Sequence, residues 1–216
     1  MNRKISPSLL SADFGNLKNA CEMINASEAE WLHIDVMDGS FVPNISFGFP
    51  IMEAVKKYCT KPLDVHLMIV HPEKYISRFA NAGAGIITFH YETVENPLEV
   101  IEMIKAQGIN AGITINPDVP VSVLEPFVDK VDLVLLMTVF AGYGGQKFME
   151  ESYARIAELR EMIVRKKAHC VIEVDGGVNM QNAATLFEHG VNVLVAGSAV
   201  FNTPNPINTI HDMLNI

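Results

Sequence analysis

The sequence predicts an α/β protein closed into a (β/α)8 barrel, a TIM barrel, and three observations carry that expectation. Eight short apolar segments alternate with amphipathic ones along the chain, the pattern of repeated βα units on a parallel sheet. The apolar segments are nearly continuous runs, as a sheet covered by helices requires. Eight units in 216 residues suit a compact barrel, near the fold's lower limit of about 200 residues, better than an open doubly wound sheet. No low-complexity stretch or Pro/Gly/Ser-rich linker divides the chain, so 1–216 is read as one barrel domain.

The elements follow in order. A first strand is expected over 4–10 (KISPSLL) and a helix over 16–26. The second strand covers 30–37 (EWLHIDVM) and the third 62–69 (PLDVHLMI). A helix over 72–83 has Pro72 where a first turn accepts proline and Gly83 where a left-handed residue closes it. The fourth strand is 85–91 (GIITFHY). The helix over 96–108 runs from Pro97 to Gly108 and carries Leu98, Ile101 and Ile104 as one apolar stripe. Strands over 110–116 (NAGITIN) and 132–139 (DLVLLMTV) come next. The helix over 151–167 ends in Arg165-Lys166-Lys167, where cations suit the helix dipole. The seventh strand is 170–175 (CVIEVD), Gly190 marks a helix end, and the eighth strand is 191–197 (VNVLVAG).

Composition narrows the function classes. At 49% hydrophobic and 19% charged the chain can bury a core and is not disordered. Its 16 basic and 25 acidic residues leave a net charge of −9, which argues against nucleic acid as a partner. The densest apolar run, 131–142, is broken by Asp132 and Thr138 and falls far short of the ~20 residues that span a membrane. The first residues, MNRKISPSLLSADF, hold no apolar stretch suited to a signal peptide. Cys21, Cys59 and Cys170 are widely spaced and odd in number, without C-x-x-C. That argues against a structural zinc site or disulfide framework and fits a reducing cytoplasm.

Polar residues interrupt the strands at regular places. In the second strand, alternation puts Leu32, Ile34 and Val36 on one face and His33, Asp35 and Met37 on the other. The third repeats this with Asp64, His66 and Met68. Inward imidazoles beside carboxylates are costly unless paired or bound to a metal. The seventh strand ends Asp175-Gly176-Gly177. Two histidines and two aspartates at the carboxyl ends of barrel strands, where barrel active sites lie, make a mixed N/O site for a divalent transition metal. A structural His–Asp hydrogen bond is the plainer reading of either strand alone. Two stretches suit phosphate: Gly142-Tyr143-Gly144-Gly145-Gln146 after the sixth strand and Gly197-Ser198 after the eighth. Such turns expose backbone N–H groups, and a helix start adds partial positive charge.

Taken in order, these blocks resemble the ribulose-phosphate 3-epimerase family along essentially the whole chain. They are Ser6 to Phe14, His33 to Gly39 with Phe41-Val42-Pro43-Asn44, Asp64 to Met68, Asn116-Pro117, Gly142 to Gln146, Glu173 to Gly177 and Ala196 to Phe201. The resemblance implies a barrel of the ribulose-phosphate-binding type that inverts the carbon next to the ketone of a phosphorylated ketose. It implies one divalent ion (zinc, iron(II), manganese or cobalt) on His33, Asp35, His66 and Asp175, with Asp35 and Asp175 also the acid/base pair. Ser8, His66, Met37, Met68, Gly142, Tyr143, Gly144, Gly145, Gly176, Gly177, Gly197 and Ser198 would meet substrate and phosphate, and Met137 would line the site with them. A homo-oligomer is expected, since small barrels commonly self-associate.

One departure bears on the substrate. Family members usually read Asn-Pro-Gly-Phe-Gly-Gly after the sixth strand, and this chain has Phe140-Ala141-Gly142-Tyr143-Gly144-Gly145. A hexulose phosphate such as D-allulose 6-phosphate therefore stands beside D-ribulose 5-phosphate, and a catalytically silent phosphate-binding barrel is the reading of another class. A decarboxylase or aldolase is disfavoured because no strand ends in lysine. His90 and Glu92 are read as a local hydrogen-bonding pair rather than support for the site. His71, His169, His189 and His211 are read as solvated.

Overall fold

The computed structural model describes residues 3–216. Its strands are β1 (Lys4–Pro7), β2 (Leu32–Met37), β3 (Leu63–Met68), β4 (Ala84–His90), β5 (Asn110–Ile115), β6 (Leu133–Met137), β7 (Val171–Asp175) and β8 (Val193–Ala196). They form one parallel sheet in the order β1-β8-β7-β6-β5-β4-β3-β2. The two ends of that order meet: Ser8 bridges His33 in parallel, and Glu30 N–H donates to the Ile5 carbonyl at 3.0 Å. The sheet is thus a nearly closed barrel, the expected fold class.

The helices are α1 (Leu17–Ala26), α2 (Phe49–Tyr58), α3 (Ile76–Asn81), α4 (Pro97–Lys105), α5 (Ser152–Lys166), α6 (Ala183–Glu188), α7 (Ser198–Phe201) and α8 (Pro206–Leu214). Two places differ from the sequence pattern. The helix expected over 72–83 is split into a 3-10 turn at Pro72–Lys74 and α3, because Lys74 and Tyr75 donate three residues back rather than four. Between β5 and β6 there is only a 3-10 turn, Val121–Leu124. Pro117, Pro120 and Pro126 remove backbone donors from that stretch and prevent a longer helix.

Strand alternation divides the core. Leu32, Ile34, Val36, Val65 and Leu67 join the apolar layer between sheet and helices. The barrel interior is apolar on one side, where Ile86, Leu133, Leu135 and Val193 pack together. On the other side lie buried Ser6, His33, Asp64 and Glu173. A small apolar group, Met37, Val42 and Met68, sits above the polar half.

Gly112 of β5 pairs with Thr88 of β4, and a Cβ there would lie 2.1 Å from Thr88 Oγ1. Gly112→Ala is expected to cost about 1–3 kcal/mol by overpacking. It should lower the urea midpoint without changing the slope. Adding Thr88→Ala should recover most of the loss, because the clashing atom is gone.

Candidate active site

Four donors converge at the carboxyl ends of β2, β3 and β7. His33, Asp35, His66 and Asp175 each offer a ligand atom, all within 4.8 Å of one another. Parallel register sets Asp35 opposite His66, so neighbouring strands deliver carboxylate and imidazole at one height. Asp35 Oδ1 lies 3.3 Å from His33 Nε2 and 3.2 Å from His66 Nδ1, and its Oδ2 accepts from Ser8 Oγ at 2.6 Å. His66 Nδ1 is 3.9 Å from Asp175 Oδ2.

Each imidazole is held from behind. His33 Nδ1 pairs with Asp64 Oδ2 at 2.7 Å, and Ser6 Oγ donates to the same oxygen at 3.1 Å. That leaves His33 Nε2 fully buried, aimed at the cluster, and without a hydrogen-bond partner. Such an orphan beside two carboxylates suits a cation better than a closed hydrogen-bond network. The buried His/Asp cluster therefore can hold a metal ion.

The acids are tuned apart. Burial works against ionisation of Asp35, but His33 and His66 outweigh it and hold that carboxyl far below the usual range. Asp175, one-fifth exposed, is pushed up to about 7 by burial and by the charge of Asp35. Burial also opposes charge on His33, yet Asp35 and Asp64 raise it well above its ordinary value. Glu173 lies deeper, and burial with the charge of Asp64 lifts it well above its ordinary value.

Above the cluster opens a cavity of about 300 Å³. Ser8, Asp35, Met37, Met68, Met137, Gly142, Tyr143, Gly144, Gly145, Asp175, Gly176, Gly177, Gly197 and Ser198 all line it. His33 and His66 lie beneath, fully buried, and are not among the lining residues. Gly197 caps α7, whose first residue is Ser198. Gly176 and Gly177 have φ of +120° and +67°, and a Cβ on Gly177 would sit 2.2 Å from the Phe148 nitrogen. Backbone strain and close packing thus demand glycine at both positions. No lysine or arginine lines the cavity among the described residues.

Strand patterning missed several neighbours. Asn44 Nδ2 donates to the Gly142 carbonyl at 2.9 Å, and Gln146 Nε2 donates to the carbonyls of Phe140 and Tyr143, clasping the loop over the cavity. His90 is not merely a local partner of Glu92: its Nε2 lies 2.9 Å from His66 Nε2. The alternation Thr88–His90 in the fourth strand carried that signal. His71, His169, His189 and His211 are exposed, as expected.

Residues 4–201 match the family described as the Ribulose-phosphate 3 epimerase family. The chain belongs to that family. It is 50% identical over 199 residues to "Ribulose-phosphate 3-epimerase" of Bacillus subtilis (strain 168), covering 92% of each chain. It is 44% identical to the protein of the same name from Synechocystis sp., covering 99% of this chain and 94% of that one. The chloroplastic "Ribulose-5-phosphate-3-epimerase" of Arabidopsis thaliana is 45% identical, over 91% of this chain and 71% of that one. Among solved structures, a mutant tryptophan synthase α-subunit from Pyrococcus furiosus superposes with a TM-score of 0.75. That alignment spans 100% of both chains at 16% identity, a likeness of fold alone. As a family member the chain is an isomerase, an epimerase of sugar phosphates.

In this epimerase, freed of metal by a chelator, Asp175 should leave a mark on stability. Its folded pKa of about 7 exceeds its unfolded value of about 4, so the native state keeps a proton that the unfolded state releases. The stability it contributes therefore falls as pH rises from about 4 to about 7, then levels. The wild-type minus Asp175→Asn stability difference, measured by urea unfolding, should follow that curve. A difference flat across the window refutes the assignment.

Proposed function

We propose that this chain is a metal-dependent 3-epimerase converting D-ribulose 5-phosphate to D-xylulose 5-phosphate, with 1–216 as one catalytic barrel domain. The observation that carries the reading is that Asp35 and Asp175, whose neighbours push their proton affinities in opposite directions, line one cavity. The names of the relatives support the substrate.

Inversion at C3 needs a base on one side and an acid on the other. The Asp35 carboxylate takes the C3 proton, and the C–H electron pair moves toward the C2 carbonyl to give a cis-enediolate. Asp175 then returns its own proton to C3, and the C=C pair forms the new C–H bond. For the opposite epimer the two exchange roles. They stand on β2 and β7, separated around the barrel by β1 and β8, so neither has to move. Ser8 Oγ steadies Asp35 by donating to its Oδ2.

His33, Asp35, His66 and Asp175 would hold the divalent ion, with zinc, iron(II), manganese and cobalt all compatible with these nitrogen and oxygen donors. When bound, it supplies Lewis-acid stabilisation of the negative charge that develops on the substrate oxygens. Met37, Met68 and Met137 form a polarizable apolar wall that keeps water from the reacting carbon. Backbone amides of Gly142, Tyr143, Gly144 and Gly145, of Gly176 and Gly177, and of Gly197 and Ser198 receive the sugar and its phosphate. No helix among the described residues is long and apolar enough to cross a membrane. A cytoplasmic homo-oligomer completes the proposal.

Ribulose 5-phosphate incubated with metal-replete protein in deuterated water should exchange its C3 proton, read by NMR. It should turn over faster than allulose 6-phosphate. Asp35→Asn and Asp175→Asn should each lower kcat by about 10²–10⁴, the usual worth of a general acid or base. Absence of exchange with pentulose and hexulose phosphates alike would leave a silent barrel.

A further inference from the structure

Two carboxylates compete for one direction of proton donation along a pair of buried imidazoles. His66 Nε2 and His90 Nε2 lie 2.9 Å apart, so one donates and the other accepts. The outer nitrogens face opposite anions: His66 Nδ1 is 3.2 Å from Asp35 Oδ1, and buried His90 Nδ1, which has no hydrogen-bond partner, has Glu92 Oε2 as its nearby anion at 3.6 Å. Both rings are fully buried, where a neutral imidazole costs less than a charged one. A neutral pair carries two N–H groups, and one is consumed between the rings. Only one outer nitrogen can then donate, while the other turns a lone pair toward a carboxylate. Donation toward Asp35 leaves His66 Nδ1 protonated and unable to ligate. Donation toward Glu92 frees that Nδ1, and a cation shared with Asp35 removes the conflict at that end.

We propose that Glu92 is a positioning residue which, through His90, selects the His66 tautomer whose Nδ1 can ligate a divalent cation. The proposal rests on the metal site described above. Glu92 is well placed for this because its Oε1 is already engaged, accepting Asn116 N–H at 2.9 Å and Asn116 Nδ2 at 3.0 Å. That leaves Oε2 for His90. Asn116 Oδ1 in turn accepts from Ala141 N–H at 3.0 Å, so the same strut ends on the loop over the cavity.

Glu92→Gln should reverse the relay. A glutamine oxygen can keep both Asn116 bonds while its NH2 takes the place of Oε2 and donates to His90 Nδ1. His90 Nε2–H then donates to His66 Nε2, and the remaining proton sits on His66 Nδ1. Two measurements test this. Imidazole ¹⁵N NMR on the Zn²⁺-loaded wild type should show His66 protonated at Nε2 and His90 at Nδ1. Calorimetric titration with Co²⁺ should show Glu92→Gln weakened about 10–100-fold, and Glu92→Asp, which keeps the carboxylate, weakened less. Wild-type binding with unchanged Glu92→Gln affinity overturns the role of Glu92 and leaves the metal site standing. No binding by the wild type overturns both. Should Glu92→Gln fail to fold, the wild-type spectrum decides alone: a proton on His66 Nδ1 with Zn²⁺ bound refutes the relay.

Discussion

Asp35 presents one oxygen to His33 and His66 and accepts from Ser8 with the other, and the polar half of the barrel is arranged around that carboxylate. Buried charge is tolerated only where it is shared, because desolvation otherwise costs several kcal/mol per ion. Here the sharing runs in both directions. His33 passes to Asp64, whose Oδ2 also accepts from Ser6. His66 passes to His90 and Glu92. The apolar half of the interior, filled by leucines, isoleucine and valine, keeps water from dissolving these contacts.

The same constraint separates the two aspartates in chemical character. Asp35 is surrounded by imidazoles that lower its proton affinity; Asp175 is buried and faces the charge of Asp35 across the cluster, which together raise its pKa to about 7. Two identical side chains thus have their proton affinities pushed in opposite directions by their surroundings. The surrounding cavity needs no basic side chain, which reconciles a net charge of −9 with an anionic substrate. The glycine loops that line it are set partly by packing: Gly177 could not be any other residue against the Phe148 backbone.

Much of this was legible in the chain. Eight apolar runs announced the barrel, and alternation along LHIDVM and LDVHLM placed His33, Asp35, Asp64 and His66 inward because the period of a strand is two. The same rule applied to 86–90 puts Thr88 and His90 inward, although a lone histidine two residues from Glu92 at a strand end also suits a local hydrogen bond. Three prolines between 117 and 126 argue against a helix there, and the regular βα rhythm masked them. The junction of β1 with β2 has no sequence signal, since it depends on strand tilt around the whole barrel.

Residue order by itself determined which side chains face inward, where helices stop, and which family the chain resembles, since these depend on local periodicity, backbone φ and motif spacing. Only the tertiary structure decided which inward groups meet. Closure brings β7 round to β2 and β3, so Asp175 reaches a cluster more than a hundred residues away in sequence. It also sets His90 against His66. Proton affinity inside the barrel follows from those meetings, because burial and neighbouring charge act across space and leave no trace in the spacing of residues.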